Sequence, residues 1–204
     1  MKRLPTLVAF ALIVFGLMLW INPTNKLPSD NEMIEHFYAH KIELEEIIRR
    51  YRSYPEPAAM HYRWAEEPST AALMKKAGVG DLSNNGWPIF FPDPYSPRSI
   101  EMLKKIQESG GYEQSIRHGV IRLSLAGSHY SPNPLKHGTL IKSFYFFPEM
   151  PAIKDNWIVV PDPSGSPKRF YKLASSLDLP LDVHAICQFR LIESKWFICI
   201  CRST

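Results

Sequence analysis

Residues 183–203, with the sequence VHAICQFRLIESKWFICICRS, predict a β-hairpin at the end of the chain. Two apolar and aromatic runs are separated by the polar residues Glu193-Ser194-Lys195, where a three-residue turn fits. With that turn, Cys187 faces Cys201 and Phe189 faces Cys199 across the two strands. The hairpin therefore fixes which residues share a face of the predicted sheet.

All three cysteines of the chain then lie on one face, together with Phe197 and Leu191. A Cys187–Cys201 disulfide fits this geometry in an oxidising compartment and leaves Cys199 unpaired. A slip of one residue in the register would separate the partners, so an alternative stays open in which three buried thiols pack as small apolar residues. The C-x11-C-x-C spacing does not match a zinc motif. We predict no metal site and no cofactor.

The segments before the hairpin continue the strand pattern. Residues 120–127, VIRLSLAG, alternate between the two faces of a half-buried strand. Three later segments predict further strands, because Pro, Gly and Asp clusters separate them: TLIKSFYFF (139–147), NWIVV (156–160) and RFYKLA (169–174). We interpret VGDLSNNG (79–86) as a turn, since it lacks the lysine and the spacing of a phosphate-binding loop.

Helices precede these strands. Ser29 and Glu32 form a capping box at the start of an amphipathic helix from about Asp30 to Arg52. Shorter helices are predicted at 69–76, before Gly78, and at 97–108. The apolar stripe of the long helix, which we interpret as a core face, consists of Met33, Phe37, Leu44, Ile48 and Tyr51.

The order of helices first and strands later, with short turns between the strands, predicts an α+β fold. In this fold the amphipathic helix and the short helices pack on an antiparallel β-sheet. A parallel βαβ arrangement would instead alternate strands with helices along the chain.

Residues 1–21 predict a signal anchor. Lys2 and Arg3 precede an uncharged run at 4–21, which as a helix would cover about 27 Å of a hydrocarbon core of roughly 30 Å. Bulky residues end the run where a signal peptidase needs small ones. We therefore predict a retained transmembrane helix, a tether at 22–28 and a single periplasmic α+β domain at 29–204; the alternative is cleavage near Asn22.

The positive charges before the span place the N-terminus in the cytoplasm, so the rest of the chain faces the periplasm or the outside. The formal net charge is +4, and Lys2 and Arg3 account for two of these charges. The remaining chain is nearly balanced, so the sequence predicts no nucleic-acid binding, which would need a concentrated basic surface.

Residue types suited to hydrolysis are present, but no catalytic motif joins them. The chain after residue 28 lacks G-x-S-x-G, H-E-x-x-H and S-x-x-K sequences. We therefore predict a protein that is not an enzyme. The residues considered for a hydrolase or metal site are Ser124, Ser128, His118, His129, His137 and Asp162.

Two loops suit protein binding instead. GWPIFFPDPY (86–95) places aromatic residues among prolines, and such rigid aromatic segments lose little entropy when they anchor an interface. AGSHYSPNPLKHG (126–138) adds polar candidates. The alternative for the first loop is that its aromatic residues cover the sheet. The predicted partner-binding residues are Trp87, Phe90, Phe91, Tyr95, His129, Tyr130 and Lys136.

LPSDNEMIEHFYAHKIELEEII (27–48), GGYEQSIRHGVIRLSLAGSHYSPNP (110–134), DNWIVV (155–160) and the closing hairpin resemble a group of small bacterial lipoproteins and anchored envelope proteins. The group shares a helix of the form Ser-Asp-x-Glu-Leu-Ile-x-x-Phe and a Gly-Ser pair beside the first strands. Its members are largely of unknown function, and some are associated with interbacterial toxin immunity. This chain lacks the lipid-bearing cysteine, since its first cysteine is Cys187, which favours the inner membrane.

Together these features predict a membrane-anchored periplasmic protein-binding domain whose partner is a protein. Its sharpest form is an immunity protein that neutralises an exported bacterial toxin. The first alternative is a structural or assembly accessory of an envelope or secretion complex, and the second is a hydrolase.

Overall fold

The computed structural model describes residues 27–53, 61–84, 119–130, 139–160, 169–178 and 187–203. Within these ranges, no helix has the length and apolar character needed to cross a membrane. The predicted span at 4–21 and the predicted helix at 97–108 lie outside the described residues.

The long amphipathic helix is confirmed as α1, Asp30–Ser53. Its capping box is formed: Glu32 N donates to Ser29 Oγ at 3.2 Å, and Ser29 N donates to Glu32 Oε2 at 2.6 Å. The whole predicted apolar stripe is buried, with no member more than 4 % exposed. His40 has non-helical angles, φ −124° and ψ 17°, and therefore marks a kink in α1.

Two short helices follow, α2 (His61–Glu66) and α3 (Pro68–Lys76), of which the second was predicted from the sequence. Gly78 ends α3 in the left-handed region with φ +63°, which a glycine adopts without strain. His36 of α1 donates from Nε2 to the Ala77 carbonyl at 2.8 Å, which fastens this turn to α1.

The predicted turn at 79–86 was wrong, because residues Val79–Asn84 form strand β1. A glycine-containing segment pairs here because its neighbour β2 (Ile121–Tyr130) supplies a complete antiparallel partner, from Asn84 opposite Ile121 to Val79 opposite Leu125. The register shifts between Val79 and Asp81, so a local irregularity accommodates Gly80.

The remaining strands are β3 (Thr139–Phe146), β4 (Ala152–Lys154), β5 (Trp157–Val160), β6 (Arg169–Leu173), β7 (Cys187–Glu193) and β8 (Trp196–Ser203). They form one eight-stranded sheet in the order β1-β2-β3-β8-β7-β6-β5-β4. The closing hairpin, β7 and β8, thus lies near the middle of the sheet.

The sheet is mixed, which corrects the prediction of an antiparallel sheet. β6 pairs with β7 in parallel, whereas every other described strand pair is antiparallel. A parallel pair needs a connection of about a dozen residues or more, and residues 174–186 supply it. The sequence order of helices followed by strands did not reveal this crossover.

The two faces of the sheet carry separate cores. The core on the helix face, the face that α1 covers, joins the stripe of α1 to strand residues such as Leu123, Phe144 and Ile198, each fully buried. The core on the opposite face, here called the cysteine face, contains Phe189, Phe197 and Cys199. Each face therefore excludes water over part of the sheet.

A buried ion cluster fixes the start of α1 to the sheet. Asp30 is fully buried, and its carboxylate contacts Lys142 Nζ and Arg190 at 2.6 Å each. The backbone N–H of Leu177 donates to the same carboxylate at 2.7 Å. Lys142 Nζ also donates to the Pro28 carbonyl at 2.9 Å and lies 3.1 Å from Asp178 Oδ1. The point where the predicted tether meets the domain is thereby immobilised on β3.

Candidate binding surface and cysteine cluster

Of the seven sequence-predicted binding residues, the structure describes two, His129 and Tyr130. Trp87, Phe90, Phe91, Tyr95 and Lys136 lie outside the described residues. His129 lies in β2 opposite Ile141, and the half-buried Tyr130 is paired with Leu140. The predicted loop at 126–138 was wrong in its first part, because residues 126–130 belong to β2, which stays paired with β3 as far as Tyr130. The loop at 86–95 and the binding role of all seven residues stay predictions.

A different apolar surface is exposed at the β4 end of the helix face. Trp157 on β5 is 46 % exposed and Phe170 on β6 is 61 % exposed. Trp157 is paired with Lys172 and Phe170 with Val159, so the side chains of these four residues share one face of the sheet. Lys154 of β4 is paired with Trp157 from the other side. We call these five residues the aromatic surface.

One row of paired residues shows that the aromatic surface continues the helix face. The row runs across six strands, from the edge of the sheet to β3: Lys154, Trp157, Lys172, Gln188, Ile200 and Lys142. Its first three members are exposed, while Gln188 is 8 %, Ile200 4 % and Lys142 1 % exposed. The part of the helix face that is shielded from solvent thus ends between β7 and β6.

The local sequence explains why Trp157 is held rigidly. Asp155 and Asn156 both adopt left-handed angles, φ 50° and 62°, as a two-residue hairpin of the type I′ class requires. The hairpin sets β4 and β5 in register, and Leu173 N donates to the Asn156 carbonyl at 2.7 Å. The tryptophan is therefore presented by a strand with a fixed backbone.

The chemistry of the aromatic surface suits a protein partner. A tryptophan and a phenylalanine provide large apolar area at low conformational cost, and lysines lie opposite Trp157 on both neighbouring strands. A partner with an apolar pocket and acidic residues at its rim complements this arrangement.

The alternation of residues in NWIVV is a sequence signal for the aromatic surface. Alternation in NWIVV places Trp157 and Val159 on the face opposite to Ile158, which is fully buried. The pattern alone did not show which of the two faces meets solvent, because both faces carry large apolar residues. Pairing with β6, which adds Phe170 and Lys172, was also required.

The cysteine face holds all three thiol positions in one cluster. The predicted hairpin register is confirmed, with Cys187 opposite Cys201 and Phe189 opposite Cys199. Cys187 and Cys201 form a disulfide, and the free Cys199 lies with its Sγ 3.3 Å from Cys201 Sγ. Burial raises the pKa of the Cys199 thiol well above its ordinary value of 9.0, so this thiol is protonated at neutral pH.

The turn of this hairpin differs slightly from the prediction. Glu193 still belongs to β7 and is paired with Trp196, so only Ser194 and Lys195 form the turn. The register shifts between Leu191 and Glu193, and this irregularity restores the predicted pairing at the cysteines.

The two serines among the hydrolase candidates have hydrogen-bond partners within the sheet. Ser124 Oγ lies 3.1 Å from Ser143 Oγ in a buried hydroxyl pair, and Ser128 Oγ donates to the Leu125 carbonyl at 2.7 Å. Both hydroxyls thus serve hydrogen bonds within the sheet. His118, His137 and Asp162 lie outside the described residues.

Comparisons with protein-family models, with curated proteins and with solved structures gave no match to this chain. The resemblance to anchored envelope proteins therefore stays a prediction from the quoted segments.

Proposed function

We propose that the chain is a protein-binding domain anchored in the bacterial inner membrane, with its C-terminal domain in the periplasm. The observation that carries this proposal is the exposed pair Trp157 and Phe170 on the aromatic surface. The uncharged run at 4–21 after Lys2 and Arg3 supports the anchor.

The exposure of the aromatic surface argues for a binding role rather than a packing role. Removing apolar area from water contributes about 25 cal/mol per Å², so two large exposed aromatic side chains hold binding free energy that folding has not used. The strands that carry them are paired on both sides, which lowers the entropic cost of association.

The sharpest form of this proposal is an immunity protein, whose partner is an exported bacterial toxin that reaches the periplasm. Neutralisation needs only that the domain occupies the toxin's functional surface, so no catalytic residue is required. A partner with acidic residues around an apolar pocket would meet Trp157 between Lys154 and Lys172.

The test uses the full chain, captured from bacterial membranes together with proteins secreted by the same and neighbouring cells. We expect an exported toxic protein to bind stoichiometrically and its toxicity to be suppressed by the chain. Suppression is lost in the double variant Trp157→Ala/Phe170→Ala. The matched control is Tyr38→Ala/Ile42→Ala, which removes two other exposed side chains, 55 % and 80 % exposed, from the outer side of α1.

Three outcomes contradict the proposal in different ways. Recovery of subunits of an envelope or secretion complex, without toxin, replaces immunity by the accessory role. If the aromatic variant and its control lose suppression of toxicity equally, the aromatic surface is not part of the interface. Failure to recover any specific protein partner overturns the protein-binding function itself.

The predicted topology has a separate check. A reporter enzyme that is active only in the periplasm, fused after Thr204, should be active, and the mature protein should keep Met1 or Lys2 at its N-terminus. An inactive reporter, or an N-terminus near Asn22, would refute the anchored topology.

A further inference from the structure

The cysteine cluster has a geometry that a single disulfide does not need. The Sγ atoms of Cys187, Cys199 and Cys201 all lie within 4.8 Å of one another. A disulfide uses only two of them, and the third is held 3.3 Å from Cys201 Sγ. We propose that, when the disulfide is reduced, these three sulfurs bind one thiophilic d10 cation, Cu(I) or Zn(II).

The spacing of the sulfur atoms fits such an ion. A metal–sulfur bond of about 2.3 Å places three sulfurs around one ion roughly 3.8–4.0 Å apart. The unbonded Cys199–Cys201 pair, at 3.3 Å, is somewhat closer than this, and all three sulfurs lie within 4.8 Å of one another. Opening the one S–S bond lets the sulfurs move apart to the distances that an ion needs. Thiolate ligands select soft cations of this class over magnesium or calcium.

The strands fix the three ligands on a common face. Cys187 is directly opposite Cys201, and Cys199 lies two residues before Cys201 on the same strand. β8 is paired on both sides, with β7 and β3, along the whole segment that carries the cysteines. Ligands on paired central strands keep their positions more closely than ligands on loops.

The surroundings of the cluster also suit a thiolate site. Cys199 is fully buried, while Cys187 and Cys201 are partly exposed, so an ion can enter from one side and be shielded on the other. Phe189 is paired with Cys199, and Tyr145 lies with its hydroxyl 3.9 Å from Cys201 Sγ. That hydroxyl can donate a hydrogen bond to a metal-bound thiolate.

The redox balance of the site is simple. A thiol or phosphine reductant gives two electrons to the Cys187–Cys201 bond, two protons are taken up, and the reductant is oxidised. Binding of the cation then displaces the protons of the coordinating thiols. The oxidised protein keeps a single thiol, so its redox state decides whether the site exists.

The experiment uses the full chain in detergent. The chain is reduced with a phosphine in the absence of oxygen, and the phosphine is then removed. Cu(I) is titrated against a chromogenic Cu(I) chelator, and Zn(II) against a chromogenic zinc chelator. We expect one equivalent to bind in at least one arm, with a thiolate-to-copper charge-transfer band in the copper arm. The two arms distinguish the ions, and the disulfide-bonded protein should bind neither.

Cys199→Ser tests the third ligand, because it leaves the disulfide pair intact. Its affinity after reduction should fall by at least ~100-fold, since removing even an outer-shell partner costs roughly 10–100-fold. Ser143→Ala, opposite Cys199 on β3, is the matched control and should bind as the unmodified chain does. Cys199→Ala is a second variant, checked by its unfolding curve, in case serine disturbs the core.

Two results would overturn the proposal. The first is that the reduced chain binds neither ion more tightly than its disulfide-bonded form. The second is that reduced chains with and without the Cys199 thiol bind equally well. Neither result bears on the aromatic surface, so this inference fails or stands independently of the proposed protein-binding function.

Discussion

The two ends of the helix face are built from the same kinds of residue but meet different surroundings. At one end Phe144 and Ile198 are fully buried under α1. At the other end Trp157 and Phe170 are 46 % and 61 % exposed. Strand residues at both ends are paired in one continuous sheet. The difference shows that an aromatic residue contributes to stability where α1 packs over its strand. Where the same face of the sheet is exposed to solvent, such a residue is available for binding.

The ion cluster at the start of α1 lies at the covered end. The buried members of the cross-sheet row, Gln188, Ile200 and Lys142, belong to this end, while Trp157 in the same row belongs to the bare end. Substitutions in the cluster should therefore reduce stability, whereas substitutions on the aromatic surface should change binding. Three predictions test this division.

The largest effect is expected for Asp30→Asn. Asparagine leaves Lys142, whose side chain is 2 % exposed, without its closest charged partner, and leaves Arg190 without the carboxylate 2.6 Å away. Removing one partner of a buried ion pair costs about 3–5 kcal/mol. The free energy of unfolding, measured by urea denaturation of the full chain, should fall by this amount.

The matched control for the cluster is a lysine pair on the same face. Lys142→Met should destabilise the fold by a comparable amount, while Lys154→Met, at the exposed end of the same row, should change the free energy of unfolding by less than ~0.5 kcal/mol. Equal effects at both lysines would break the distinction between the two ends of the face.

The pH dependence of stability gives the second prediction. Burial acts to raise the pKa of Asp30, but hydrogen bonds from Lys142, Leu177 N–H and Arg190 outweigh it, and the pKa lies below its ordinary 3.8. Because the folded-state pKa is depressed, the stabilising contribution is complete above the unfolded-state pKa of about 3.9. It is lost as the pH falls through the lower folded-state value.

Urea midpoints between neutral and strongly acidic pH measure this loss. The unmodified chain should lose stability below about pH 4, and Asp30→Asn should lose less over the same interval. Glu35 is an exposed carboxylate on the same helix and provides the control: Glu35→Gln should leave the slope close to that of the unmodified chain. Identical slopes for Asp30→Asn and the unmodified chain would contradict the assignment.

The covered end was the part of the fold that the sequence could predict. Periodicity identified α1 and its buried stripe, and the capping box located the helix start within one residue. The polar residues Glu193-Ser194-Lys195 located the pairing of β7 with β8. These features depend on residues close in the chain or on a short hairpin. Their physical causes are local, so a single sequence contains them.

The bare end and the ion cluster depend on long-range placement, which the sequence did not show. Asp30 was identified only as a residue of the first helical turn, yet it contacts Lys142 and Arg190 from strands far along the chain. No local pattern indicated that β6 and β7, which follow one another along the chain, pair in parallel. Trp157 is exposed because it lies on the part of the helix face beyond β7, which is not shielded from solvent.

A much smaller effect on stability than that of Asp30→Asn is expected for Phe170→Ala. A buried aromatic residue costs about 3–5 kcal/mol when truncated to alanine, as we expect for Phe144, because apolar area and packing are both lost. Phe170 keeps most of its surface in water in the folded state, so its truncation should change the free energy of unfolding by less than ~1 kcal/mol. Urea denaturation of the two variants side by side measures the contrast. If Phe170→Ala were as destabilising as Phe144→Ala, the aromatic surface would belong to the core, and its role as a binding surface would lose its physical basis.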